Sequence, residues 1–368
     1  MVALPRAACP ALYSPAGLVE SAAEIIGGAM SQRRRRSAER VTLSDVAKAA
    51  GCSLMSASRA LSQPGRVSDA LREQVMRAAQ ALGYVPNPAA RALASSRSNL
   101  VAVVIPSLSN SVFVDTVEAI QRVLMPAGFE MMIGVSHYRV EEDERLLRSY
   151  LAHQPAGLLL TGFERSDAAR EILGASSCPL VTLMELSEEP EDYCVGFSQV
   201  EAGAAMTRAL VQRGYRHIAF AAAQLDPRTR QRAEGYRQVM RYLNRHDPAL
   251  ELLTPQLSSI GLGAELLDRL LAQQPQIDAV FFNNDDLAMG ALFRARQLGL
   301  DVPGRLAIAG FNDLPAAAWM HPALSTVRTT RGRVGELAAN MLLALMRGET
   351  PEQHCIDVGF ELVMRDSA

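Results

Sequence analysis

From Leu100 onward, short apolar runs alternate with amphipathic stretches, and this alternation limits the fold more than any other feature of the 368-residue sequence. VAVVI at 101–105, MMIGV at 131–135 and GLLLT at 157–161 are separated by helical patterns near 112–126 and 140–152. A strand that is apolar at nearly every position must be covered on both faces, and an intervening helix supplies the crossover that parallel pairing needs. The pattern therefore predicts a doubly wound parallel sheet. A second set opens after VGF at 195–197, with HIAFA at 217–221, DAVFF at 278–282 and RLAIAG at 305–310. Two α/β lobes are expected, with any ligand at the carboxyl ends of the strands.

Residues before 100 obey a different pattern and carry a different charge. The chain as a whole has a formal net charge of −2, yet residues 31–98 carry +8, against −1 for residues 1–30 and −9 for the remainder. A basic segment on a near-neutral chain points to a nucleic-acid or membrane-surface partner for that segment. RRRR at 33–36 opens it, and periodic sequence follows. In VTLSDVAKAAGCSLMSASRAL (41–61), Thr42 is a good N-cap and Val46, Ala47 and Ala50 recur at helical spacing up to Gly51. Ser53 opens a second helix with Leu54, Ala57 and Leu61 on one side, stopped by Gln63-Pro64-Gly65. A third, capped by Ser68, runs to Gly83. Two short helices joined by a glycine turn make a helix-turn-helix, whose second helix enters the DNA major groove by its amino-terminal end. Leu54, Met55 and Arg59 are the groove-facing candidates, with Thr42, Ser53 and Ser56 beside them. Asn87-Pro88 then opens AARALA, a helix too short to hold alone in water.

The run from Val41 through AARALA resembles the DNA-binding headpiece and hinge helix of the lac/gal repressor family of bacterial transcriptional regulators, and the resemblance continues over about residues 41–365. It implies an α/β fold with three parts in chain order: a three-helix headpiece, a hinge helix, and a two-lobed, periplasmic-binding-protein-like core of parallel sheets. The headpiece would span 31–84, the hinge and linker 85–98, and the core 99–368. Within the core, lobe 1 would take about 99–196 and 328–351 and lobe 2 about 197–327 and 352–368, with crossings near 196, 327 and 352. Residues 1–30 are expected to be a disordered or misassigned extension, with Met30 a candidate start. In the family a hinge leucine wedges into the central base step of a palindromic operator held by a homodimer; the matching residue is Leu93, with Asn87 and Arg91 nearby. Such a wedge costs a few kcal/mol of unstacking, offset by contacts to bent DNA.

Nothing in the sequence supports an enzyme. GLGAEL at 261–266 lacks the third glycine of a dinucleotide fingerprint and no apolar strand closely precedes it; the six histidines show no metal spacing. No cofactor is expected. The five cysteines are scattered, no secretory signal is evident, and no window approaches eighteen apolar residues, so the expectation is a cytoplasmic protein without a membrane partner. The resemblance implies a small-molecule effector held by Phe113, Glu185, Arg232, Asn284 and its neighbour Asp285, and by Asn312, which departs from the aspartate common in the family at that position; Arg228 falls one helical turn from Arg232. Two arginines directed into a cleft suit an anion, because the guanidinium fork matches carboxylate or phosphate. SNSVF, VGFSQ, LDPRT and NNDDLAMG look most like the gluconate-operon repressors of the family, which implies gluconate, a ketogluconate or 6-phosphogluconate. The expected function is a repressor of a sugar-acid operon, released from its operator by that effector. A transporter-type sugar-binding protein, or a repressor answering another metabolite, is the alternative.

Overall fold

The computed structural model describes residues 41–62, 64–85, 98–108 and 111–368, which fall into two compact units on either side of the undescribed stretch 86–97. The first unit is three helices, α1 (Leu43–Ala49), α2 (Leu54–Ser62) and α3 (Asp69–Ala81). Thr42 and Asp45 form a reciprocal capping box at the start of α1, and Gly51, at φ +56°, takes the left-handed turn that leads to α2. The Ser68 hydroxyl accepts from the Leu71 N–H at the start of α3. Val46, Ala47, Ala50, Ala57, Ala60, Val75 and Ala79 make the core, with Leu61 and Leu71 packed at its edge. Leu54 departs from the packed side that helical spacing gives it with Ala57 and Leu61: it is 55% exposed, while Ala60 is buried in the core.

The second unit holds two six-stranded sheets. The strands in chain order are β1 (Leu100–Ile105), β2 (Glu130–Val135), β3 (Gly157–Thr161), β4 (Leu180–Leu183), β5 (Cys194–Gly196), β6 (Ile218–Ala223), β7 (Glu251–Thr254), β8 (Ala279–Phe282), β9 (Ala307–Asn312), β10 (Ser325–Thr329), β11 (Cys355–Asp357) and β12 (Phe360–Val363). The first sheet has the order β11-β5-β4-β3-β1-β2 with every pair parallel; the second is β12-β10-β9-β8-β6-β7, with only β10–β12 antiparallel. Helices α4 (Val112–Leu124), α5 (Val140–Ala152), α6 (Asp167–Gly174) and α11 (Arg331–Met346) accompany the first sheet, and α7 (Gln199–Gln212), α8 (Pro227–Tyr242), α9 (Ile260–Gln273) and α10 (Asp285–Gln297) the second. The chain crosses between lobes after β5, at Thr330 and at Val358–Gly359. The third crossing comes later than the expected position near 352, because Cys355, Ile356 and Asp357 pair with Cys194, Val195 and Gly196 in the first sheet. Three residues are too few to show a periodicity.

Helices pair on each lobe through glycine. A Cβ on Gly235 of α8 would lie 2.0 Å from the Val200 carbonyl of α7, and one on Gly203 would meet the Arg232 backbone at 2.4 Å. Gly263 of α9 and Gly290 of α10 abut the Leu287 and Ile260 carbonyls in the same way, and Gly335 of α11 abuts Thr116 of α4. The second glycine of GLGAEL thus serves helix packing. At the carboxyl end, Ser367 donates its hydroxyl to the Ile308 carbonyl (2.6 Å) and accepts from the Ser325 N–H (2.8 Å), and Ala368 is buried.

Candidate functional site

A cleft between the lobes collects side chains from the carboxyl ends of several strands. Asp226 caps α8 by accepting from the Thr229 N–H (2.8 Å), and Pro227 at the first position fixes the start, so Arg228 and Arg232 share one face of the helix. Gly203 and Gly235 let α8 approach α7 closely enough for the Arg232 Nε to donate to Gln199 Oε1 (2.8 Å). Its Nη1 donates to the Asn283 carbonyl (2.8 Å), and the guanidinium stacks 3.8 Å from the centroid of the Phe311 ring. Among the described residues no carboxylate lies within ion-pair distance of Arg232. Burial draws its pKa down to about 10, which leaves it a cation at neutral pH.

Arg228 has a different role from the one expected. It bonds Asp226 at 2.8 Å and lies 3.6 Å from Glu185. Burial alone would lower its pKa, but these two carboxylates raise it above the ordinary arginine value. Glu185 is raised by burial in spite of Arg228, and it faces an adjoining cavity with Ser136, Asp143 and Thr161 rather than the main cleft. The expectation of two arginines free for an anion is corrected to one: the charge of Arg228 is met within the protein.

Carboxamides and aromatic rings complete the cleft. Asn312, at the end of β9, is held at φ +114°, and its side-chain amide makes no hydrogen bond to a described residue. Asn284 caps α10 by accepting from the Leu287 N–H (3.0 Å) and is tied to Ser258, while still lining the cleft. Phe113 forms a wall from the first turn of α4. The cleft volume is about 50 Å³. Asp285 is corrected: it does not face the cleft. One carboxylate oxygen accepts from the Thr326 hydroxyl (2.6 Å) and the other from the Leu314 N–H (2.7 Å), so it locks α10 to β10, and burial pushes its pKa up to about 6. Gln199, Asn283, Thr229 and Tyr138 also line the cleft, and sequence reasoning missed them. Gln199 and Thr229 sit beside helix caps, where position in the first turn was a usable signal; Tyr138, at φ +57°, gave none.

On the headpiece, Thr42 and Ser53 are committed to the starts of α1 and α2, where the Ser53 hydroxyl accepts from the Ser56 N–H (3.1 Å). Leu54, Met55 (63% exposed) and Arg59 project from α2, and Ser56 is half-buried. Asn87, Arg91, Leu93 and Arg33 to Arg36 lie outside the described residues. No helix among the described residues is long and apolar enough to cross a membrane.

Comparison with known proteins follows the same division. The model of the "Bacterial regulatory proteins, lacI family" matches residues 42–87, and that of a "Periplasmic binding protein-like domain" matches 207–368. The chain is 50% identical over 337 residues to the HTH-type transcriptional regulator GntR of Pseudomonas aeruginosa, covering 92% of this chain and 98% of that protein. The crystal structure of transcription regulator GntR from Chromobacterium violaceum superposes with a TM-score of 0.72 at 49% identity, over 73% of this chain and 98% of its own. The lac repressor dimer bound to operator superposes with a TM-score of 0.79 at 25% identity, over 89% and 99%. The capped three-helix unit, the two parallel sheets crossed three times and these likenesses agree: the chain belongs to the LacI family of bacterial regulatory proteins and is a transcriptional regulator, not an enzyme.

Proposed function

We propose that this regulator acts in the bacterial cytoplasm as a homodimer that represses a sugar-acid operon. Two headpieces (31–84) hold a palindromic operator through α2 and the hinge segment 85–98, and the dimer lets go when a polyhydroxy acid such as gluconate enters the cleft. Arg232 carries the effector reading: it is a buried cation with no carboxylate partner among the described residues, bonded to the Gln199 carboxamide and the Asn283 backbone carbonyl, with Asn284 and Asn312 lining the same cleft. A carboxylate would supply the missing counter-charge through the guanidinium fork, and hydroxyls would pair with the amides. The operator and dimer readings rest on the likeness to the lac repressor dimer bound to operator, on the basic charge of 31–98, and on Trp319, which is 89% exposed on the second lobe. The cleft, at about 50 Å³, is far below the roughly 300–1,000 Å³ of ordinary ligand sites, so a sugar acid fits once the lobes part. A coupling of about 1–3 kcal/mol between cleft and headpiece corresponds to a 5- to 150-fold change in operator affinity.

A ligand panel of gluconate, a ketogluconate, 6-phosphogluconate and glucose, read by thermal shift and by release of a labelled palindromic duplex, tests the reading. The acids are expected to raise the melting temperature and to release the duplex. Glucose producing the largest shift would sink the claim that Arg232 awaits an anion. Binding to random duplex as tightly as to the palindrome, or indifferent to added salt, would remove the operator claim.

A further inference from the structure

We propose that Arg331 is a positioning residue that aims Asn312 into the cleft and ties it to the first lobe. Arg331 is the first residue of α11, immediately after the second crossing, and it is buried. Its Nη1 donates to the backbone carbonyl of Asn312 at the end of β9 and lies 3.4 Å from the Thr329 hydroxyl of β10, both on the second lobe. On the first lobe, its Nη2 and Nε donate to one carboxylate oxygen of Asp115 in α4 (2.8 and 3.2 Å). Its own carbonyl accepts from the Thr116 hydroxyl (3.3 Å). One side chain therefore bonds both lobes at the point where the chain passes between them.

Asn312 gives this placement its meaning. A non-glycine residue at φ +114° is in a sparsely populated region and persists only where its surroundings over-determine it. The Arg331 guanidinium supplies that constraint through the Asn312 carbonyl, and the consequence is an amide side chain that lines the cleft and makes no hydrogen bond to a described residue. Asp115 in turn fixes Arg331, and α4 also carries Phe113 of the cleft wall. A ligand that bonds the Asn312 amide would thereby act on α4 of the other lobe through two charge-assisted contacts.

This inference rests on the cleft being the effector site, and the full-length chain offers two readouts that separate the two ideas. Without ligand, amide hydrogen exchange over residues 311–314 is expected to quicken in Arg331→Lys and Asp115→Asn relative to wild type. Unchanged exchange in both variants overturns the positioning role whatever the ligand. With gluconate as probe, calorimetric titration is expected to give a dissociation constant raised roughly 10- to 100-fold in both variants. Melting temperature and palindrome binding without ligand are expected to stay near wild type. Affinity within twofold of wild type overturns the inference, and so does a weakening that only follows a general loss of stability. A wild type that ignores gluconate would sink the effector assignment instead, and the exchange measurement still decides the role of Arg331.

Discussion

Arg232 and Arg228 lie one turn apart on α8 and differ in what meets their charge. Arg228 is surrounded by Asp226 and Glu185, whereas Arg232 has neutral acceptors and a ring face. Arg232→Lys keeps the charge but forfeits the fork and the stacking, so gluconate affinity should fall by roughly 10- to 100-fold in calorimetry with little change in melting temperature. Asp285 offers a test by pH. Its folded pKa, about 6, lies above the unfolded value of 3.8, so its contribution to stability is fully present below pH 3.8 and is lost as pH rises through about 6, a change of about 3 kcal/mol for this group. Wild type compared with Asp285→Asn should therefore gain melting temperature on going from pH 7.5 to pH 4.5; a difference that does not move with pH would contradict the buried titration. Phe113, Arg232, Asn284 and Asn312, which the family resemblance implies, line the cleft, and so does Arg228. The resemblance misplaced Asp285, because an aspartate in the first turn of a helix reads the same whether it points to a ligand or to a neighbouring strand. Pairing of Arg228 with Glu185, 43 positions apart, depends on tertiary contact and leaves no local pattern.

Elements with long apolar runs were legible, and short or glycine-controlled ones were not. β1, β3 and the helices 112–124 and 140–152 fall where periodicity placed them. β7, β10, β11 and β12 passed unread, since strands of three to five residues with mixed polarity show neither alternation nor a continuous apolar run. Helix pairs joined through glycine were also invisible, because a glycine at a helix crossing has no sequence mark that separates it from a turn glycine. Gly290 illustrates the cost of changing one: a Cβ there would sit 1.8 Å from the Ile260 carbonyl, which must move. Gly290→Ala should destabilise the protein by about 1–3 kcal/mol, against the gain that alanine gives in an open helix, as measured by urea unfolding. A neutral or stabilising result would mean that α9 and α10 are farther apart than this packing requires.

For the molecule as a whole, charge sets the basic segment apart and periodicity calls for two α/β sets, while the crossings come from the family resemblance, the third falling at Val358–Gly359, later than expected. Self-association belongs to this scale. Tryptophan is enriched among the residues that anchor protein interfaces, and Trp319 projects almost entirely from the second lobe. Trp319→Arg should shift the protein toward monomer in analytical ultracentrifugation and weaken binding to a full palindrome more than to a half-site; an unchanged dimer would exclude this face. The burial of Ser367 and Ala368 has a practical side. Both are threaded into the second lobe beside Ile308 and Ser325, so a bulkier side chain or a fluorescent reporter attached at either position would have to be accommodated by prying that segment out of its slot. Labels for imaging belong on exposed positions instead.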